Sequence, residues 1–78
     1  MINLKIVSAQ DIVFENEVDF VVLPGSCGEL GILSGHAPLL TTLKKGKIRA
    51  RQKGSTKTFD IAVGFVEVLK DRVTVLAI

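Results

Sequence analysis

Apolar and polar residues alternate along most of the 78-residue chain, which is the pattern of β-strands that bury one face. The segment Lys47–Lys53 shows it most clearly, with basic residues on one face and Ile48 and Ala50 on the other. No segment has the period of a long amphipathic helix, although residues 39–43 also fit one helical turn. The predicted strands are Ile2–Val7, Ile12–Phe14, Glu17–Leu23, Gly28–Leu33, Leu39–Leu43, Lys47–Lys53, Lys57–Val63, Phe65–Leu69 and Arg72–Ala77.

Many short strands separated by turn signals indicate a β-sandwich or a β-barrel. Turns are predicted at Glu15–Asn16, at Lys53–Thr56 and at Lys70–Asp71. The length allows one small domain, residues 1–78, in which 47% of the residues are hydrophobic. A chain of this size buries only about 60% of its unfolded surface, so its core is marginal without a partner.

The segment Glu17–Leu23 does not fit a half-solvated strand, because apolar residues occupy both of its faces. If Val21 faces the core, Phe20 and Val22 face outward. A bulge near Asp19, or a loop that covers the outer residues, is one interpretation. The other is an apolar patch on Phe20 and Val22 that docks another protein.

Four glycines and two prolines fall within residues 24–40, so the backbone must turn several times there. Pro24-Gly25 suits the central positions of a type II turn. The glycines expected to supply a left-handed residue or a close approach are Gly28, Gly31 and Gly35. The apolar residues expected to pin this segment to a core are Leu30, Ile32 and Leu33. The expected product is a rigid loop that presents one carboxylate, Glu29, and one imidazole, His36.

Cys27 is the only cysteine, which excludes a disulfide framework and favours a reducing cytoplasmic setting. Together with Glu29 and His36 it could supply a nucleophile and base, or three metal ligands. No recognisable orienting group or oxyanion pocket accompanies them, so neither catalysis nor metal binding is expected. The glycines lack the order and the following helix of a nucleotide-binding loop, so no nucleotide or other cofactor is expected.

The net charge is only +2, but seven of the ten basic residues fall in residues 44–57, which contain no acid. Basic residues that alternate along a strand can follow a phosphate backbone, so a small nucleic-acid-binding β-barrel is the alternative function. Such modules also need exposed aromatic residues, whereas this chain has four Phe, no Tyr and no Trp, and Phe59 is predicted to face the core. An edge strand protected by charge explains the same pattern, and nucleic acid is not the expected partner.

Residues 28–40 read Gly-Glu-Leu-Gly-Ile-Leu-Ser-Gly-His-Ala-Pro-Leu-Leu, with Val13-Phe14 before them and residues 64–68 and 73–77 after them. This combination resembles the N-terminal domain of the epsilon subunit of rotary F-type ATP synthases over essentially the whole chain. The family usually has proline where this chain has Ser34, a difference expected to loosen one turn without removing a functional group. The resemblance implies an all-β fold, a flattened β-sandwich of about ten short strands in two sheets.

The resemblance further implies a non-catalytic rotor subunit of the central stalk. It would link the gamma subunit to the membrane c-ring and help couple ion translocation to ATP synthesis on other subunits. Such a chain would meet the membrane only through the complex, at the cytoplasmic face of a bacterial plasma membrane. Family members usually continue into a two-helix hairpin that restrains ATP hydrolysis, so no such inhibition is expected if Ile78 is the natural end.

By the same resemblance, two groups of residues are expected to contact other subunits. The expected c-ring contacts are Cys27, Gly28 and Glu29. The expected gamma contacts are Ser8, His36 and Thr41, with the outward Phe20 and Val22 as additions. A single exposed ion pair contributes about 0–1 kcal/mol, so Glu29 would set register at the ring while a larger gamma interface supplies the attachment.

Overall fold

Nine β-strands and no helix make up the computed structural model of residues 1–78. There is accordingly no helix with the length and apolar character needed to cross a membrane. The all-β class expected from the alternating pattern is confirmed, with nine strands where about ten were expected. The strands are β1 Ile2–Val7, β2 Ile12–Val18, β3 Phe20–Gly25, β4 Gly28–Leu33, β5 Leu39–Leu43, β6 Gly46–Gln52, β7 Ser55–Ile61, β8 Gly64–Leu69 and β9 Arg72–Ala77.

The nine strands form one hydrogen-bonded sheet that curls into two layers, so the two sheets of the expected sandwich are halves of a single sheet. The strand order is β2-β1-β9-β8-β5-β3-β6-β7, and β4 pairs with β3 outside this path. The first layer runs from β2 to β5, and the second contains β4, β3, β6 and β7. On one side the layers meet at a single residue pair, Leu43 of β5 with Gly25 of β3. On the other side the rings of Phe14 and Phe59 touch, with centroids 5.1 Å apart.

Fifteen apolar side chains fill the space between the layers, and no polar or charged residue is buried. Each strand contributes alternate residues, as in β6, where Ile48 and Ala50 are buried between exposed basic residues. β8 repeats the pattern with Val66 and Val68. Complete burial of an aliphatic side chain contributes about 1.5–3 kcal/mol, so this shared inner face holds the two layers together.

The chain bends at Asp19, between β2 and β3. No turn occurs at Glu15–Asn16, where one was predicted, because β2 continues through both residues to Val18. At the bend, the N–H of Asp19 donates to the carbonyl oxygen of Arg51 at 2.7 Å. The bend shifts the alternation by one residue, so that Val18 and Val21 are both fully buried. The predicted segment is therefore two strands. The shift accounts for the buried Val18, whereas Phe20 and Val22 remain on the outer face of β3, where both are half-buried.

Pro24 and Gly25 lie buried at the end of β3, so the predicted type II turn at these residues is wrong. The turn is made instead by Ser26 and Cys27, the two residues between the paired Gly25 and Gly28. Gly25 has no positive φ and is needed for space, because a Cβ there would lie 2.6 Å from the carbonyl oxygen of Gly28. Gly28 itself has φ 139° and has the conformational role predicted for it.

The remaining predictions for the glycine-rich segment divide into confirmed and wrong ones. Gly35 has a φ of 84°, as predicted, whereas Gly31 has neither a positive φ nor a close neighbour. Ile32 is buried and Leu30 packs against the core, also as predicted. Leu33 does not pin the segment to the core, because it lies on the outer face of the sheet and is 63% exposed.

Two tight hairpin turns join the strands of the basic hairpin and of the last hairpin. The turn residues are Lys53-Gly54 and Lys70-Asp71, and all four have φ between 48° and 82°. Successive residues with positive φ match the right-handed twist of the flanking strands. Because a turn of this type needs only two residues, β7 begins at Ser55, earlier than predicted. It ends at Ile61, and Val63, which was predicted to face inward, is 47% exposed.

Gly25→Ala should lower the free energy of unfolding by about 1–3 kcal/mol, because the added methyl group overlaps the backbone of Gly28. Gly31→Ala is the matched control on the neighbouring strand, since nothing lies within 4 Å of its Cβ position. Its effect should stay within about 0.5 kcal/mol. Urea unfolding of both variants measures the difference, and equal stability of the two would show that space at Gly25 is not limiting.

Candidate functional site

The β3–β4 hairpin ends in a tip, residues 25–29, that is fixed to the neighbouring strand β5. The N–H of Ser26 donates to the carbonyl oxygen of Thr42 at 3.1 Å, and the hydroxyl oxygens of these two residues lie 2.6 Å apart. Behind the tip, the N–H of Lys44 donates to the carbonyl oxygen of Pro24 at 2.9 Å. These bonds hold the tip against the first layer, as expected for a rigid loop.

Glu29 is the one acid of the tip, and its carboxylate is paired within the chain. Arg49 Nη2 lies 2.7 Å from Glu29 Oε2, an ion pair that crosses β3 on the outer face of the second layer. The ion pair passes over Val22 of β3. In the strand pairing, Val22 lies opposite Arg49 of β6 on one side and opposite Gly31 of β4 on the other. The side chains of Glu29 and Arg49 are 66% and 47% exposed. Such a pair contributes about 0–1 kcal/mol, so the carboxylate is oriented but can exchange its partner at little cost.

The structure brings together only some of the predicted contact residues. Cys27, Gly28 and Glu29 line a shallow cleft with Thr41 of β5, so one residue predicted for gamma adjoins the three predicted for the c-ring. Arg49, which sequence reasoning did not single out, joins this site through its bond to Glu29. Its outward position could be predicted from the alternation along β6, but its partner could not, because the two residues lie on strands separated by β3.

The other residues predicted to contact gamma lie on separate elements. Ser8 begins the β1–β2 connection, where its Oγ accepts the N–H of Asp11 at 3.2 Å. His36 is half-buried in the loop between β4 and β5, with Nδ1 2.6 Å from the carbonyl oxygen of the next residue. Phe20 and Val22 lie on the outer face of β3, and both are half-buried. A gamma interface that includes all of them has to extend over more than one element.

Asp71 attaches the β4–β5 loop to the β8–β9 turn. Its Oδ1 accepts the N–H of Gly35 at 2.7 Å, and its Oδ2 accepts the hydroxyl of Ser34 at 2.8 Å. Both bonds favour the ionised carboxylate and lower the pKa of Asp71 below its ordinary value, the backbone bond more than the hydroxyl bond. Ser34 was expected to loosen this turn, but its hydroxyl also gives the turn a hydrogen bond to Asp71 for which proline has no donor.

The basic hairpin β6–β7 presents its charges outward, as predicted, but two of them have partners. Lys47 Nζ lies 2.7 Å from Asp60 Oδ1, and Arg49 binds the tip carboxylate. Phe59, the only aromatic residue of this hairpin, is half-buried against Phe14 and the core. The expected charged edge strand is wrong for Lys47, Arg49 and Arg51, because β6 lies between β3 and β7. The edge strand of this layer is β7, which carries Lys57.

The three residues considered for catalysis or metal binding do not converge. Cys27 and Glu29 lie at the tip, whereas His36 follows the far end of β4. No three His, Cys, Asp or Glu side chains in the chain are close enough together to hold a metal ion. The tip itself presents one exposed carboxylate, one exposed thiol and small turn residues.

The fold and the tip together define a class of protein. Residues 1–78 match the family described as ATP synthase, Delta/Epsilon chain, beta-sandwich domain, and the chain belongs to this family. The match confirms the sequence-based identification of an epsilon-type chain and its β-sandwich class.

Particular relatives agree with this family. The ATP synthase epsilon chain of Desulforamulus reducens is 54% identical over 76 residues, which are 95% of this chain and 56% of that relative. The epsilon chain of Caulobacter vibrioides is 40% identical over 76 residues, 97% of this chain and 88% of that relative. A chain in the cryo-EM structure of the Euglena gracilis mitochondrial ATP synthase (OSCP/F1/c-ring) has the same fold, with a TM-score of 0.91 and 23% identity over 97% of this chain and 49% of that chain. The chain thus spans about half the length of several proteins it matches.

Asp71→Asn should destabilise the chain near neutral pH, because the charged acceptor for Gly35 and Ser34 is lost. Since the folded-state pKa is lowered, the stabilisation is fully present above the unfolded-state pKa, about 3.9, and is lost as the pH falls through the folded-state value. Urea unfolding of both chains from pH 7 down to pH 2 should show a difference that vanishes in acid. A difference that is constant over this range would contradict the role of the charge.

Proposed function

We propose that this chain is a rotor component of the central stalk of an F-type ATP synthase, which joins the gamma subunit to the membrane c-ring and helps couple ion translocation to ATP synthesis. Membership of the delta/epsilon β-sandwich family carries the proposal. The similar fold in an assembly that contains F1 and a c-ring supports it. In this proposal the complex lies at the cytoplasmic face of a bacterial plasma membrane, and the chain meets the membrane only through the complex.

The tip is the proposed c-ring contact, through Cys27, Gly28 and Glu29. The small residues of its turn let a polar loop approach closely, and Glu29 supplies the charge. A ring loop that carries arginine or lysine would replace Arg49 as the partner of Glu29, which exchanges one exposed ion pair for another. The net free energy of such an exchange is small. This contact would therefore fix the position of the chain relative to the ring and contribute little to the binding affinity.

Attachment is therefore assigned to the gamma interface, with Ser8, His36, Thr41, Phe20 and Val22 as the proposed contacts. A stable protein interface buries about 1,200–2,000 Å² in total, so more of the surface than these five residues must take part. Thr41 adjoins the cleft at the tip, and His36 lies in the loop that follows β4. The side of the sandwich where β4 and β5 lie is thus the proposed centre of this interface.

Stiffness is the mechanical property that a rotor link requires. The core contains only apolar side chains, and close-packed protein interiors have low compressibility. The tip is bonded to β5, and the β4–β5 loop is bonded to Asp71. Both proposed contact regions are thus fixed to the sandwich, so that torque is transmitted with little deformation.

Glu29→Lys in the assembled synthase should lower ATP synthesis driven by ion flow, because a cationic ring loop would meet a like charge. The isolated chain should keep its free energy of unfolding within about 1 kcal/mol, since Glu29 is exposed. Arg49→Gln is the matched control, because it breaks the same ion pair but leaves the carboxylate free for the ring. Unfolding of Glu29→Lys, unchanged coupling in that variant, or equal loss of coupling in both variants would count against the ring contact.

The isolated chain should co-elute with the gamma subunit of its own complex in size-exclusion chromatography. It should not bind single-stranded RNA at moderate salt, because two cations of the basic hairpin are already paired and its aromatic ring is half-buried. Salt-sensitive RNA binding without gamma association would reverse this conclusion in favour of a nucleic-acid-binding β-barrel.

A further inference from the structure

One side of the sandwich ends in strand edges that no other strand covers. β4 pairs only with β3, while β5 pairs with β8 and touches β3 at one residue pair. The opposite side is closed, because Phe14 of β2 packs against Phe59 of β7. β4 therefore has a free edge along Gly28–Leu33, between the tip and the loop that holds His36.

This free edge presents backbone hydrogen-bonding groups at alternate residues. The two residues that flank the two-residue turn form the first hydrogen-bonded pair of the β3–β4 ladder, and bonding to β3 alternates from there. The N–H and C=O groups of Glu29 and Gly31 consequently point away from β3. The backbone groups of Leu33 should also point away from β3 by this alternation. In agreement, its carbonyl oxygen accepts the N–H of His36 at 3.1 Å instead of bonding to β3.

The edge of β4 lacks the features that keep edge strands from pairing. β2 carries Glu15 and Glu17, and its pairing with β1 is irregular. β7 carries Lys57 and Asp60. β4 has no lysine, no proline and no irregularity in its pairing, and Glu29 is its one charged residue. A regular exposed edge of this kind is the place where a further strand adds to a sheet.

The side chains along the edge leave room for a strand. Gly31 has no side chain, and nothing lies within 4 Å of its Cβ position. Leu33, at the far end, is 63% exposed and offers an apolar contact. An added strand lies about 4.8 Å from its neighbour, and its outward residues would stand beside Gly31 and Leu33.

We propose that the free edge of β4 takes up an extended segment of the gamma subunit as an added β-strand, bound through the backbone of Glu29 and Gly31. The inference rests on the proposed function, which supplies the partner. His36 follows this edge in sequence, and Thr41 lines the cleft beside it. Glu29, a proposed ring contact, would meet the ring through its side chain, which lies on the outer face of the sheet, and the added strand through its backbone. Because His36 and Thr41 are proposed gamma contacts, their positions favour gamma over the ring as the occupant.

Gly31→Pro tests the inference on the complex with gamma. The variant removes the outward N–H and places the proline ring on the free edge, yet it breaks no bond to β3. Leu30, which precedes it, is already in a strand, as a residue before proline prefers. Gly31→Ala is the matched control, because it adds a methyl group in open space and keeps the N–H. We expect the dissociation constant for gamma to rise about tenfold or more in the proline variant, and less than about threefold in the alanine variant.

The outcomes separate the inference from the proposed function. Equal gamma binding by all three chains would overturn the added strand alone, whereas no binding by the unsubstituted chain would remove the proposed function itself. Hydrogen exchange on the unsubstituted chain gives a second reading that does not depend on how the proline variant folds. The amides of Glu29 and Gly31 should exchange slowly only in the gamma complex. If these amides exchange equally fast in the gamma complex and in the isolated chain, the proposal is overturned. It is also overturned if they become protected in the isolated chain as its concentration rises, because a second copy of the chain would then occupy the edge.

Discussion

The fifteen buried side chains lie on one face of a single sheet, so they can be shielded from water only if that sheet folds sharply where β5 meets β3. The sharp bend of the sheet is made of small residues. Leu43 stands between Gly25 on one neighbouring strand and Gly64 on the other. A Cβ at Gly25 or Gly64 would overlap a backbone carbonyl oxygen, and one at Gly46 would lie 2.8 Å from the Cβ of Pro24. These three glycines let two layers of one sheet pack around a core without a polar group.

The tip is a direct consequence of this corner. It begins at Gly25, the residue that joins the layers, and the N–H of Ser26 donates to the carbonyl oxygen of Thr42 across the junction. Its position relative to the core is therefore set by backbone pairing and not by flexible side chains. At the other end of β4, the side-chain carboxylate of Asp71 holds the loop through two hydrogen bonds, so this edge strand is fixed at both ends.

The alternation of apolar and polar residues was enough to place most strands, because a strand with one solvent-exposed face shows its burial pattern in its own residues. β1, β4, β5 and β9 begin and end at the predicted residues. The strand and turn predictions failed where contacts with neighbouring strands determine the local structure. Asp19 bends the chain through a bond to Arg51, and Pro24-Gly25 continues a strand because Ser26 and Cys27 make the turn.

The site was only partly predictable for the same reason. The glycine-rich residue string is local, and the family match confirmed the family that it indicated. The contacts with other subunits that it implied stay predictions. The Arg49–Glu29 pair and the bonds of Asp71 join residues 20 and more than 30 positions apart. Such contacts depend on strand order and register, which a single sequence does not contain. Their physical effect, an oriented carboxylate on a fixed support, becomes visible only in the folded chain.

Cryo-EM of the ATP synthase assembled with this chain, sorted by rotational state, measures most directly whether it is a stiff link within the rotor. The chain should turn with the ring in every state as one rigid body, with residues 25–29 against the ring loops and β4 facing gamma. A chain that stays with the stationary subunits, or whose tip faces solvent in all states, would contradict this role.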